Sequence, residues 1–193
     1  MNRSYNRNTL LIAPLLMLLS TALIFGCTNN DTSGEDGPSE TRKSPIAIAS
    51  IKSNSTYVKV VYGQPYRRGR DIFGDLEPWG QVWRTGANEA TEITITEPIL
   101  MGVEAISPGT YALFTIPEPD SFTVILNHEL GQWGAFNYNP ERDYKRMKFP
   151  VTELEDPVEA FTIEFSEPQY STTTMFLKWG IVQVDIPIRF YGE

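Results

Sequence analysis

Between Val82 and Thr91 the chain reads VWRTGANEAT, gathering an indole, a guanidinium, an amide and a carboxylate within ten residues. Trp83 offers a stacking face, Arg84 a planar fork of donors, Asn88 an amide and Glu89 an acceptor. Two uses suit such a set. Turned outward, the residues contact a ligand. Turned inward, Arg84 and Glu89 form a bidentate pair, Asn88 caps backbone groups and Gly86 permits a left-handed turn. The inward pair is the favoured expectation, because the segment has no histidine or cysteine to work with.

The rest of the catalytic inventory is narrow. His128, in ILNHELGQW, is the sole histidine, which excludes zinc sites built on two or more histidines and places a lone imidazole in an exposed loop. No nucleophile elbow, phosphate loop or EF-hand ligand series occurs. Asp71, Asp75 and Glu77 in RDIFGDLEP supply oxygens for calcium, but their spacing matches no ligand loop, so neither metal nor cofactor is expected. A hydrolase would have to use Glu89 or Asp143 as acid or base, with His128 or Arg84 stabilising charge, and it needs those groups to converge in space. Glu89 and Glu92, three apart on a strand, would face opposite ways. Among the tryptophans, Trp179 alternates with Met175 and Leu177 and reads as core. Trp79, Trp83 and Trp133 lie in glycine-rich connections, EPWGQVW and GQWGAF, where a ring either seals a domain end or forms a sugar-stacking platform.

The elements that must position these groups are short and alternating. Strands are predicted at 46–51, 57–62, 91–96, 110–116, 122–127, 144–152, 160–165, 172–179 and 182–188. In FTIEF, Phe161, Ile163 and Phe165 share one face, and in IVQVDIPI Val182, Val184, Ile186 and Ile188 do. Pro187 confines its strand to an edge or a bulge. Helical turns are predicted at 77–82, with Pro78 near its start, and at 139–144, where Asn139 caps and Pro140 takes the first helical position. The pattern implies an all-β fold, an antiparallel β-sandwich or jelly roll with one or two short helical turns. VWRTGANEAT falls at one end of the sandwich.

The N-terminus carries an address. Arg3 and Arg7 precede an apolar run from Leu10 to Phe25, sixteen residues long, shorter than the roughly 20 of a spanning helix. Residues 1–26 read as a signal peptide, and LIFGC resembles a lipobox, which implies cleavage before Cys27, its lipidation (palmitate included) and a membrane anchor. Cys27 is the only cysteine, so no intramolecular disulfide is possible. Residues 27–45, without a large apolar side chain before Pro45, read as a lipidated cysteine followed by a flexible tether, and 46–193 as a single domain. The chain has 16 basic and 24 acidic residues; without Arg3 and Arg7 the balance is 14 against 24, a net of about −10. Such a surface argues against nucleic acid as a partner and suits neutral ligands, cations or sugars.

The stretches RDIFGDLEPWGQVWRTGANEATEITI, SPGTYALFTIP, FTVILN and WGAFNY resemble the bacterial domain of unknown function family 2911 (DUF2911), over about Ile48 to Ile188. That resemblance implies a mostly β domain behind a signal peptide and brings no activity or cofactor with it. The expectation is therefore a lipid-anchored cell-envelope protein, exported and leaning to non-enzymatic, that binds a glycan or peptide through Arg70, Trp83, Arg84, Asn88, Glu89 and Trp133. The alternatives are the hydrolase above and a purely structural envelope component.

Overall fold

The computed structural model describes residues 42–191. The segment read as a signal peptide, Cys27 and the start of the segment read as a tether lie outside the described residues. The chain folds as an all-β antiparallel sandwich of nine strands: β1 (Ile46–Ser53), β2 (Thr56–Gly63), β3 (Thr91–Ile95), β4 (Ile99–Met101), β5 (Glu104–Ile106), β6 (Gly109–Pro117), β7 (Ser121–Asn127), β8 (Asp143–Phe165) and β9 (Thr172–Phe190). Their hydrogen-bonded order is β1-β2-β3-β6-β7-β8-β9-β4-β5.

β8 joins the two layers. Its first part, Asp143 to Pro150, pairs with β7, and its second, from Val151 onward, pairs with β9. Alternation then places one apolar face of each layer in a shared core, where Val58, Val60 and Ile93 of the first layer meet Phe161, Leu177 and Trp179 of the second. β2 shows the device plainly: Val58, Val60 and Tyr62 are buried, while Lys59 and Val61 between them are half-exposed.

Two long strands replace four predicted ones. The predicted bounds leave gaps at 153–159 and 180–181, which hold Pro157 and Gly180. Instead the register shifts between Glu153 and Val158 and again between Val158 and Thr162, so bulges absorb the irregular residues without ending the strand. Val158 pairs with Gly180, whose φ is +60°, placing the two irregularities opposite each other. Pro187 lies beyond the last β8–β9 pair, Val151 with Val184, so on that side no ladder needs its missing N–H. β4 and β5 were not predicted; at three residues each they are too short to show a period of two. The turn at 77–82 is not helical, whereas Asn139 caps a one-turn 3-10 helix, Pro140–Arg142, by accepting the Glu141 N–H at 2.9 Å.

β6 and β7 depart from alternation in a way that matters for the site. Most residues of both are buried, in runs and not in alternation, because both faces are covered. Leu113, Val124 and Leu126 enter the main core. Ala112, Phe114 and Ile125 point the other way, into a second apolar cluster closed by Val82, Ala90, Ala135 and Tyr138. The outer face of the sheet is thus roofed by two connections, 64–90 and 128–142, and the roof is where the polar and aromatic residues gather.

Candidate functional site

The segment 83–91 is an excursion from a single ladder. Trp83 pairs with Thr115 of β6, exchanging hydrogen bonds of 2.7 and 2.9 Å, and β3 resumes the pairing at Thr91 opposite Leu113. The Thr91 N–H closes the intervening loop on the Arg84 carbonyl at 3.1 Å. The loop is stitched from inside. The Trp83 indole N–H donates to the Gly86 carbonyl at 3.1 Å, the Thr91 hydroxyl to the Thr85 carbonyl at 2.7 Å, and the Thr85 hydroxyl to Thr115 Oγ1 at 3.1 Å. Thr85 and Thr91 are fully buried, so these bonds satisfy groups that water cannot reach.

The left-handed residues are not the expected one. Gly86 is not among the residues of positive φ; Thr85 (φ 54°) and Asn88 (φ 66°) are. A β-branched residue in that region is strained, and the three hydroxyl and indole bonds above hold it there. Gly86 is needed for proximity: a Cβ on it would lie 2.9 Å from the Gly63 carbonyl oxygen, and one on Gly63 would lie 1.9 Å from the Ala87 carbonyl oxygen. The two glycines let the loop press onto the end of β2, where the Ala87 N–H donates to the Gly63 carbonyl at 3.1 Å.

The residues expected to bind a ligand are scattered by this geometry. Trp83 is 3% exposed, stacked on Trp179 at 5.7 Å and edge-on to Phe161 at 5.0 Å, so its ring belongs to the core. Arg70 turns back on its own loop, donating to the Tyr66 and Arg67 carbonyls at 2.8 and 3.0 Å. Asn88 engages through its backbone, its carbonyl accepting the Gly134 N–H at 2.8 Å. Arg84 and Glu89 form no pair. The left-handed step at Asn88 directs Glu89 to the 131–134 loop, where it bridges Trp133, and its carboxylate is held by both Nη atoms of Arg42. Those bonds hold the Glu89 carboxyl below the usual carboxylate range. Arg42 comes from the segment read as a tether. Trp133 is exposed.

Arg84 instead faces Glu77, a residue assigned above only to calcium. Both line a cavity of about 220 Å³ with Val82, Trp83, Ala135 and Phe136. Phe136 is the most solvent-exposed aromatic of this roof, at 82%. Gly134 (φ 71°) lies against both it and Arg84: a Cβ there would lie 2.8 Å from the Phe136 ring and 3.0 Å from Arg84 Nη1. Burial pushes the Glu77 carboxyl up to about 7, with the Arg84 and Arg70 guanidiniums pulling it back. Perturbed carboxyls in open cavities mark candidate sites. Phe136 escaped the sequence reading, and Glu77 entered it only as a calcium oxygen, because neither forms a spacing pattern with Arg84; the signal available for Phe136 was the second aromatic of WGAF.

The groups considered for hydrolysis lie apart in chemistry as well as in chain. His128 is exposed in its loop, its ring beside the stacked Tyr111 and Tyr144 at 5.5 and 5.2 Å. Asp143 accepts from the Tyr138 hydroxyl (2.6 Å), Arg146 Nε (2.7 Å) and the buried Asn127 amide (2.8 Å). Burial, with Asp143 second, pushes the Tyr138 hydroxyl up to about 12. This network ties the 128–142 connection to β7 and β8. Among the described residues no three Asp, Glu, His or Cys side chains gather to hold a metal ion.

Comparison with protein families matches residues 44–188 to the family described as Protein of unknown function (DUF2911), a span that covers β1 to β8 and most of β9. Comparison with curated proteins and with solved structures gives no match.

Proposed function

The chain belongs to the DUF2911 family, and we propose that it is a non-enzymatic, lipid-anchored envelope protein whose sandwich binds an extracytoplasmic glycan or peptide at the Glu77–Arg84–Phe136 cavity. The observation that carries the reading is that Phe136, 82% exposed, lines the same cavity as the half-buried Arg84, whose side chain has no partner among the described residues. Trp133, 59% exposed, lies on the same connection. Hydrolysis is the weaker reading, since Glu89 and Asp143 are both engaged by arginines.

Anchoring rests on the N-terminal sequence: basic residues, an apolar run too short to span, and Cys27 at its end. Acyl labelling of the full chain should disappear with Cys27→Ser; labelling that persists refutes lipidation there. For binding, full-length protein in detergent is screened against envelope glycans and peptides. Phe136→Ala should weaken the best ligand about tenfold, the size of one lost aromatic contact. Binding that survives both Phe136→Ala and Trp133→Ala sinks the assignment to this cavity.

A further inference from the structure

We infer that the cavity receives the carboxylate of an acidic sugar unit, with Arg84 as its partner and the Phe136 ring against the sugar face. This rests on the binding reading above and names its ligand class. The arginines of the roof and its surroundings supply the first argument. Arg42 and Arg146 are ion-paired to Glu89 and Asp143; Arg67, Arg68 and Arg70 donate to backbone carbonyls; Arg142 makes no side-chain bond among the described residues but is exposed to water. Arg84 is half-buried, yet among the described residues its guanidinium has neither an ion pair nor a hydrogen-bond acceptor. A guanidinium drawn partly out of water without an acceptor is unfavourable, and a bidentate carboxylate is its best complement.

The neighbouring carboxyl does not play that part. Glu77 lines the same cavity without pairing to Arg84, and burial keeps it largely protonated up to about pH 7. A protonated Glu77 donates a hydrogen bond, so it assists a ligand carboxylate that an ionised Glu77 would repel. The charged groups acting on Glu77 are Arg84 and Arg70, both positive, which leaves the pocket cationic while Glu77 is neutral. At about 220 Å³ the cavity is smaller than drug-sized sites of roughly 300–1,000 Å³ and suits one ring. An exposed aromatic ring at a one-ring cavity suits the C–H face of a pyranose better than an extended peptide. Because the chain as a whole is acidic, recognition is local, one carboxylate at one guanidinium, without long-range attraction.

The test uses full-length protein in detergent and titrates tri-galacturonate, its methyl ester, the neutral galactose trimer and an acidic tripeptide at pH 6 and pH 8. The acid sugar should bind at least about tenfold more tightly than the ester or the neutral trimer, a charge-assisted bidentate contact. Its affinity should fall about tenfold from pH 6 to pH 8, and Glu77→Gln should flatten that dependence. Arg84→Ala should abolish the acid preference; Arg84→Lys, which keeps charge and guards against misfolding, should retain part of it. Equal binding of acid and ester, lost with Phe136→Ala, overturns the carboxylate and leaves the cavity as a binding site. Preference for the tripeptide overturns the sugar class. Absence of binding to all four overturns the inference, while a hit elsewhere in the envelope screen that depends on Phe136 keeps the broader reading.

Discussion

Arg42 grips Glu89 through two side-chain hydrogen bonds of 2.9 and 2.5 Å, across 47 residues of chain, and so joins the segment before β1 to the loop that precedes β3. The side chains remain 37% and 49% exposed, where water and salt weaken an ion pair. Its consequence for the site is that Glu89 is occupied by a residue from outside VWRTGANEAT, which leaves Arg84 to the cavity.

The pair makes a small, acid-sensitive contribution to stability. Glu89 is held below its ordinary range, so its contribution is present above the unfolded value of about 4.3 and is lost as pH falls through the lower folded value. Thermal unfolding of the full chain and Glu89→Gln should differ slightly at neutral pH and converge as acid protonates the folded carboxyl. A double-mutant cycle with Arg42→Ala should show a coupling that high salt removes. A salt-independent coupling contradicts the exposed geometry.

Trp83 and Phe136 should separate stability from binding. Trp83→Ala empties the space between Trp179, Phe161 and Phe73, and should cost about 3–5 kcal/mol in denaturant unfolding. Phe136→Ala removes an exposed ring and should stay within about 0.5 kcal/mol of the parent. If Phe136→Ala destabilised as much as Trp83→Ala, the ring would be a packing element and the binding reading would lose its main support.

Glu77 predicts the opposite pH sign to Glu89. Its carboxyl is raised to about 7, so the folded protein binds the extra proton between the unfolded value of about 4.3 and that point, and stability declines with rising pH across the window. Glu77→Gln should remove the decline, so that its melting temperature gains several degrees on the parent's between pH 5 and pH 8. Parallel melting curves from pH 5 to 8 would exclude a raised Glu77.

Asp143 is expected to matter for folding and not for turnover. Asp143→Ala leaves the buried Asn127 amide and the Tyr138 hydroxyl each short of an acceptor, for a loss of about 1–3 kcal/mol. Any hydrolytic activity found in the full chain should survive this change once the fold is allowed for. Selective loss of activity at unchanged stability would restore the acid–base reading.

Much of the architecture was legible because alternation is a local property: FTIEF and TYVKVVYG place their side chains on two faces whatever lies around them, and Asn139-Pro140 caps its own turn. The same local signals could not join 144–152 to 160–165, since a bulge is defined by the partner strand and here by Gly180 across the ladder. The site divides in the same way. Sequence alone determined which residues carry charge and aromatic surface, and it held no histidine or cysteine within VWRTGANEAT. Only the tertiary structure decided that Trp83 is core, that Glu89 belongs to Arg42, and that Arg84 opens onto Glu77 and Phe136. Those are pairings between distant segments, set by the left-handed steps at Thr85 and Asn88 and by which atoms the roof excludes from water, and neither is encoded in the spacing of the residues.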